Sequence, residues 1–503
     1  MTTNEQTPGE LLQGVARAAV ASLLIVLPCL WQREVGIGDF PSHIYNAWLA
    51  TLIEQGKLPG MALAHQNTNV VVDLALVWLL KHLTVEAAQR IVLGGSALVF
   101  FWGVFFLTRA VRGKTPWAIA PMIAIVTYGV IFQLGFSNFY LSSGICCFVI
   151  GLLWQRPQRW QVLVAVVLLA VARKAHPFPV GWALGTLAYV WMLQLAERRR
   201  LAVLAVSSMA VVFGSLQLTF RFDGEWLRPR LLMVTGAGQA ALHGPLYAGV
   251  GLLVLIIWAF SYGRQIRTQG WNSWLEQPEV QLYVLALIAG VCMPLTFSVG
   301  HNTIGVVTER LSLFAAIYAC SLIGAMEVPR RRNWAIAGVS AIFFALLYSD
   351  AREFNRYEEK LKAIVAGLPA ETRVAALIRF PNTPLQTKAK RLVEGVPGLG
   401  IFYDPGFSVN VHHVIDRVCI GHCISYANYE PATYQFQVRA LPGTKYALLK
   451  GEESGDMQTG SYRAMERDLP LYQIYPCGPQ PLDLCGRWLR AGEINGAENF
   501  REK

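Results

Sequence analysis

Asp39 and His43 stand four residues apart in the segment Gly38-Asp39-Phe40-Pro41-Ser42-His43, immediately after the first long apolar run of the chain. Four residues is one helical turn, so a helix starting at Asp39 would carry both side chains on one face. A carboxylate and an imidazole on one face are groups that general acid–base chemistry uses. Asp39 is also a good helix N-cap, and Pro41 is tolerated in a first turn, so the same residues could start a surface helix. A cap alone has no need of His43 on the same face.

Other residues capable of chemistry gather in the gaps between apolar runs. They are Arg173, Lys174 and His176; Arg221, Asp223, Glu225, Arg228 and Arg230; His243; and His301, Glu309 and Arg310. Any one of the cations can snorkel to lipid headgroups. Several Arg beside an aqueous cavity suit a phosphate or pyrophosphate, which guanidinium groups grip through paired donors. Gln133 and Asn138 flank the turn Gly-Phe-Ser-Asn-Phe-Tyr. Their amides could line a sugar pocket or satisfy helix ends.

The elements that must position these residues are membrane spans. Of 503 residues, 54% are hydrophobic and 15% charged, against about 25% charged in soluble domains. The net charge of +11 does not point to nucleic acid, because Lys and Arg sit mostly in short gaps between apolar runs. Runs of roughly 17–25 apolar residues read as spans; they lie near 12–31, 87–107, 117–134, 138–154, 160–173, 178–196, 201–219, 244–260, 280–298, 309–326 and 334–349. The expectation is a polytopic α-helical membrane protein of about eleven transmembrane helices, the first of them uncleaved. The run 70–80 is short and carries Asp73, which suggests an interfacial or re-entrant piece.

Basic residues orient the bundle. Arg109, Arg112, Lys114, Arg156, Arg159, Arg198, Arg199, Arg200, Arg264, Arg267, Arg330, Arg331 and Arg332 fall on one side, which the positive-inside rule makes cytoplasmic. The N-terminus is then cytoplasmic, and the first outer loop, 32–86, faces out. An odd number of spans also exports the tail. Residues 1–349 form the membrane domain. Residues 350–503 are expected to form an extracytoplasmic α/β domain, with a helix over Ala351–Leu368 and strands at Arg373–Arg379, Tyr434–Ala440, Tyr446–Lys450 and Leu471–Tyr475. Cys29, Cys146, Cys147, Cys292 and Cys320 fall in spans as small packing residues. Cys419, Cys423, Cys477 and Cys485 lie in the tail, where they could form two disulfides in any of three connectivities. The run His412, His413, Cys419, His422, Cys423 also admits zinc, though without tight paired spacing.

The layout resembles the GT-C glycosyltransferases, the oligosaccharyl, mannosyl and aminoarabinose transferase group that uses polyprenyl-phosphate-linked sugars. The resemblance rests on Gly38-Asp39-x-x-x-His43 after span one, the Ala47…Leu52…Gly56-x-Leu58-Pro59 helix, and the short apolar piece. It continues through Ala88-x-Arg90 opening span two, Glu309-Arg310-Leu311-Ser312-Leu313 opening a late span, and an exported tail. It implies a membrane glycosyltransferase working on the outer face of the inner (plasma) membrane. Asp39 would be the general base, helped by His43. Arg228, Arg230, Arg310 and Arg221 would bind the donor phosphate, and His176, Lys174, Asn138 and His301 would line the acceptor and sugar pocket. It implies a divalent cation, Mg or Mn, as a possible cofactor, a second acid among Asp73, Asp223 and Glu225, and a glycan, lipid or protein acceptor. The rival readings are a lipid-linked-sugar transporter or flippase and a non-catalytic assembly protein of the same fold. Carriers usually bind at the bilayer midplane, whereas the charges here cluster at span ends.

Overall fold

A computed structural model describes residues 8–33, 35, 37–38, 40–56, 61–64, 67–196, 198–222, 224–226, 231–242, 244–299, 302–324 and 329–366, together with strands at 376–378, 437–440, 471–476 and 484–489. The described chain is mostly helical: α1 (Pro8–Val26), α2 (Phe40–Glu54), α3 (Val71–Leu80), α4 (Val85–Arg112), α5 (Ala120–Thr127), α6 (Val130–Gln133), α7 (Ser137–Leu153), α8 (Arg159–Ala175), α9 (Pro177–Leu195), α10 (Arg200–Arg221), α11 (Leu231–Thr235), α12 (Gly244–Gln269), α13 (Trp271–Leu275), α14 (Pro278–Cys292), α15 (Val307–Ile323) and α16 (Arg330–Ala366). Among the described residues, six helices are long and apolar enough to cross a bilayer: Leu12–Cys29, Val85–Arg112, Pro177–Leu195, Arg200–Arg221, Pro245–Gln269 and Arg330–Arg352. The protein is membrane-embedded. On α10 only Ser215 is buried, while Phe213, Leu216 and Phe220 are exposed, the last at 80%. Such an apolar exterior is stable in lipid rather than in water.

Local chemistry sets the helix limits. Thr84 Oγ1 accepts from the Ala87 amide at 3.3 Å, and Gly113 closes α4 at φ +69 with its amide on the Arg109 carbonyl. At about 1.5 Å per residue, the 28 residues of α4 exceed the hydrocarbon thickness. The core is built on the α4–α7 contact, where two glycines let the backbones meet. A Cβ on Gly144 would stand 2.7 Å from the Phe100 Cα, and one on Gly103 would stand 2.3 Å from the Gly144 carbonyl oxygen.

Several expected spans differ in shape from one plain helix. The segment 117–134 is a 3-10 turn (Trp117–Ile119) followed by α5 and α6, broken at Gly129, where Gln239 packs so closely that a Cβ would meet its carbonyl at 2.8 Å. The segment 280–298 leaves the helix at Cys292, two residues before Pro294, and turns into the hairpin β2 (Phe297–Val299) and β3 (Asn302–Ile304). Residues 231–242, expected as outer loop, instead form α11 and a 3-10 turn packed inside the bundle; Met233, Ala237, Gln239, Ala240 and Leu242 are all buried. Helix α16 runs unbroken through 366 because neither Gly nor Pro interrupts 339–366, so the helix expected at 351–368 continues the last span. Strand β4 (Ala376–Ile378) pairs in parallel with β6 (Leu471–Pro476), and β6 pairs antiparallel with β7 (Leu484–Leu489). Strand β1 (Met61–Ala64) pairs antiparallel with β5 (Gln437–Ala440). Cys485 lies on β7, opposite Tyr475 of β6, whereas the strand expected at 446–450 and Cys419, Cys423 and Cys477 lie outside the described residues.

Candidate functional site

The first turn of α3 carries Asp73, fully buried at 0% exposure. Its Oδ1 lies 2.9 Å from His43 Nδ1 on α2, and its Oδ2 accepts from Asn138 Nδ2 on α7 at 3.1 Å. The Asn138 Oδ1 in turn accepts from the Val72 amide at 3.0 Å. Val70, the N-cap of α3, offers no side-chain cap, so Asn138 satisfies an amide the helix start would otherwise leave open. The positive end of α3 also favours a carboxylate in its first turn. Asp73 Oδ1 is an acceptor, so the His43 nitrogen facing it, Nδ1, is the one that carries a proton. Three helices remote in sequence therefore close on one buried carboxylate.

The same turn of α7 holds a cation. Arg310, in the first turn of α15, sits over the Phe136 ring at 4.9 Å and the Phe139 ring at 5.3 Å. Its Nε is buried without a hydrogen-bond acceptor, and the guanidinium makes no ion pair among the described residues. Asn138 and Phe139 are consecutive, so Asp73 and Arg310 approach within roughly 20 Å, given a 3.8 Å Cα step and the reach of each side chain. His176, between α8 and α9, meets the edge of Phe139 at 5.3 Å, and its Nδ1 accepts from the Phe178 amide at 3.2 Å. Burial, then the Arg310 charge, pushes the His176 pKa down to about 3, so the ring is neutral beside the arginine.

The chain on either side of Asp39 is anchored. Gln89 Nε2 donates to the Val35 carbonyl at 2.8 Å, Arg90 Nη2 donates to that of Gln32 at 3.0 Å, and the Gly38 amide donates to Gln133 O at 2.9 Å. Ile37 and Phe40 are buried. Asp39 itself lies outside the described residues, as do Arg228, Arg230, His243, His301 and Asp223.

Of the expected site residues, His43, Asn138, His176 and Arg310 come together. Asn138 does so as the clamp on Asp73, with both ends of its amide engaged. Lys174 joins through its carbonyl, which accepts from the Val70 amide at 3.2 Å, while its side chain is exposed. Arg221 is exposed at the end of α10 and takes no part in the hydrogen bonds around Asp73. Glu225 Oε2 accepts from Thr296 Oγ1 at 3.4 Å. Gln239 was not anticipated. Its Oε1 accepts from the Ile131 amide at 3.3 Å, and its Nε2 donates to the Glu309 carbonyl at 3.1 Å, fixing α15 beside α6. The only sequence sign of it was the small-residue run 236–241, which permits close packing.

Among the described residues no three His, Cys, Asp or Glu side chains converge, and both Asp73 oxygens already have protein partners. Set against models of protein families, characterised proteins and solved structures, the chain matches none of them.

Proposed function

We propose that the protein is a GT-C-like glycosyltransferase of about eleven spans that moves a sugar from a polyprenyl-phosphate donor to an acceptor hydroxyl on the outer side of the plasma membrane. The observation that carries this reading is the Arg310 guanidinium, its Nε buried without an acceptor, stacked on the same turn of α7 that clamps Asp73 and, through it, His43. A guanidinium N–H left open beside aromatic rings suits a phosphate that arrives with its substrate. The neutral His176 beside it adds no competing positive charge.

In this reading Arg310, aided by Arg228 and Arg230, holds the donor phosphate. Asp39 takes the acceptor proton as the hydroxyl oxygen attacks the anomeric carbon from the side opposite the phosphate. The C–O bond to phosphate breaks, the centre inverts, and polyprenyl phosphate departs with its charge stabilised. His43, fixed by Asp73, orients the acceptor. The pairing of β1, in loop 32–86, with β5 supports placing the tail on the same side as that loop. The test is transfer of labelled sugar from a polyprenyl-phosphate donor by the purified protein. Asp39→Asn should lower turnover by about 10²–10⁴, the usual contribution of a positioned base, while the protein still folds. Full turnover in that variant removes Asp39 from the mechanism. Flux of the lipid-linked sugar without transfer would favour a carrier.

A further inference from the structure

At the end of the bundle opposite the Asp73 cluster, α12 and α16 bring arginines together. Arg332, in the first turn of α16, donates from Nη1 to Ser261 Oγ of α12 at 2.9 Å. Its Nε and Nη2 are both buried and have no acceptor. Arg264 lies one turn along α12 from Ser261, close enough for its charge to repel that of Arg332. Arg330 and Arg331 add two more cations at the positive end of the same helix, whose first turn contains no acidic residue. None of these four arginines makes an ion pair among the described residues. Like charges packed together, with buried donors left open, disfavour the fold unless an anion completes them.

The level of the cluster in the bilayer indicates which anion. Trp271 and Trp334, 57% and 77% exposed, flank it on α13 and α16, and exposed Trp marks the headgroup region. We infer that Arg332 and Arg264 receive the phosphate of an anionic membrane phospholipid where α12 and α16 meet. Arg332 offers two adjacent N–H groups, the fork that matches two phosphate oxygens. The acyl chains would then lie along the apolar outer face of α12, where Leu252, Ile256 and Phe260 are exposed. Basic clefts between helices are a recurrent way of holding such headgroups. This site is independent of the transfer reaction.

The test is thermal unfolding of the full-length chain in a neutral detergent with added phosphatidylglycerol, phosphatidylcholine or inorganic phosphate. Phosphatidylglycerol at about a hundredfold excess over its Kd should raise the wild-type Tm on the order of 5 °C, and phosphatidylcholine should not. Arg332→Gln and Arg264→Gln should each lose most of that shift. Arg264→Gln removes no described bond and relieves repulsion, so it keeps the test open if Arg332→Gln folds poorly. An undiminished shift in Arg264→Gln, or a wild type indifferent to phosphatidylglycerol, overturns the inference. An equal shift from inorganic phosphate at the same concentration overturns the assignment to a lipid.

Discussion

At the scale of single residues, Asp73 is the organising group of the site. Replacing it with Leu would strand the His43 Nδ1–H and the Asn138 amide in a buried setting, at about 1–3 kcal/mol for each unsatisfied donor. Asp73→Asn keeps one acceptor and should cost less, so the expected order of Tm in detergent is wild type, Asn, then Leu. Identical melting in all three would mean that the carboxylate does not hold the helices. His176 gives a pH test of a different kind. An unfolded histidine takes up its proton near pH 6.5, whereas burial and then Arg310 hold the folded one to about 3. Between those values the unfolded chain binds the extra proton, so stability falls as pH drops from about 6.5 toward 3. His176→Gln should flatten that part of the stability curve. An unchanged slope would show that the ring is not buried neutral.

At the scale of elements, the α4–α7 contact carries the strictest packing. Gly144→Ala would drive a Cβ into the Phe100 backbone and should lower stability by about 1–3 kcal/mol, the usual cost of overpacking. It should also disturb the site, because Asn138 and Phe139 ride on α7. Gly95→Ala, on the exposed side of α4 with nothing within 4 Å, should instead gain roughly 0.5–1 kcal/mol. Melting curves of the two variants check both, and equal effects would refute the packing argument. Apolar run length made the helices legible in the sequence, helical spacing marked out His43, and a cation at the start of a late span marked out Arg310. What could not be read was pairing across the chain: Asp73 meets His43 from 30 residues away and Asn138 from 65. No local periodicity reports such contacts. Residues 231–242 were illegible for a related reason, since a run of 12 residues too short to span gives the same signal on the surface as inside a bundle.

At the scale of the molecule, the bundle has two chemically different ends. One gathers the buried carboxylate, a neutral histidine and the Arg310 guanidinium; the other carries the arginines where α12 meets α16. The basic loops argue that the first end faces outward. In intact cells, Lys81→Cys should therefore react with a membrane-impermeant maleimide, and Arg156→Cys should react only after permeabilisation; the reverse pattern would invert the topology. The most direct measurement for the site is the affinity of purified protein for polyprenyl phosphate, the leaving group of the proposed reaction. Arg310→Gln should bind it about tenfold to a hundredfold more weakly than wild type, the loss of one charge-assisted contact of about 1.5–3 kcal/mol. Equal affinity in the two proteins would mean that Arg310 meets no lipid phosphate, and the transferase account would fail with it.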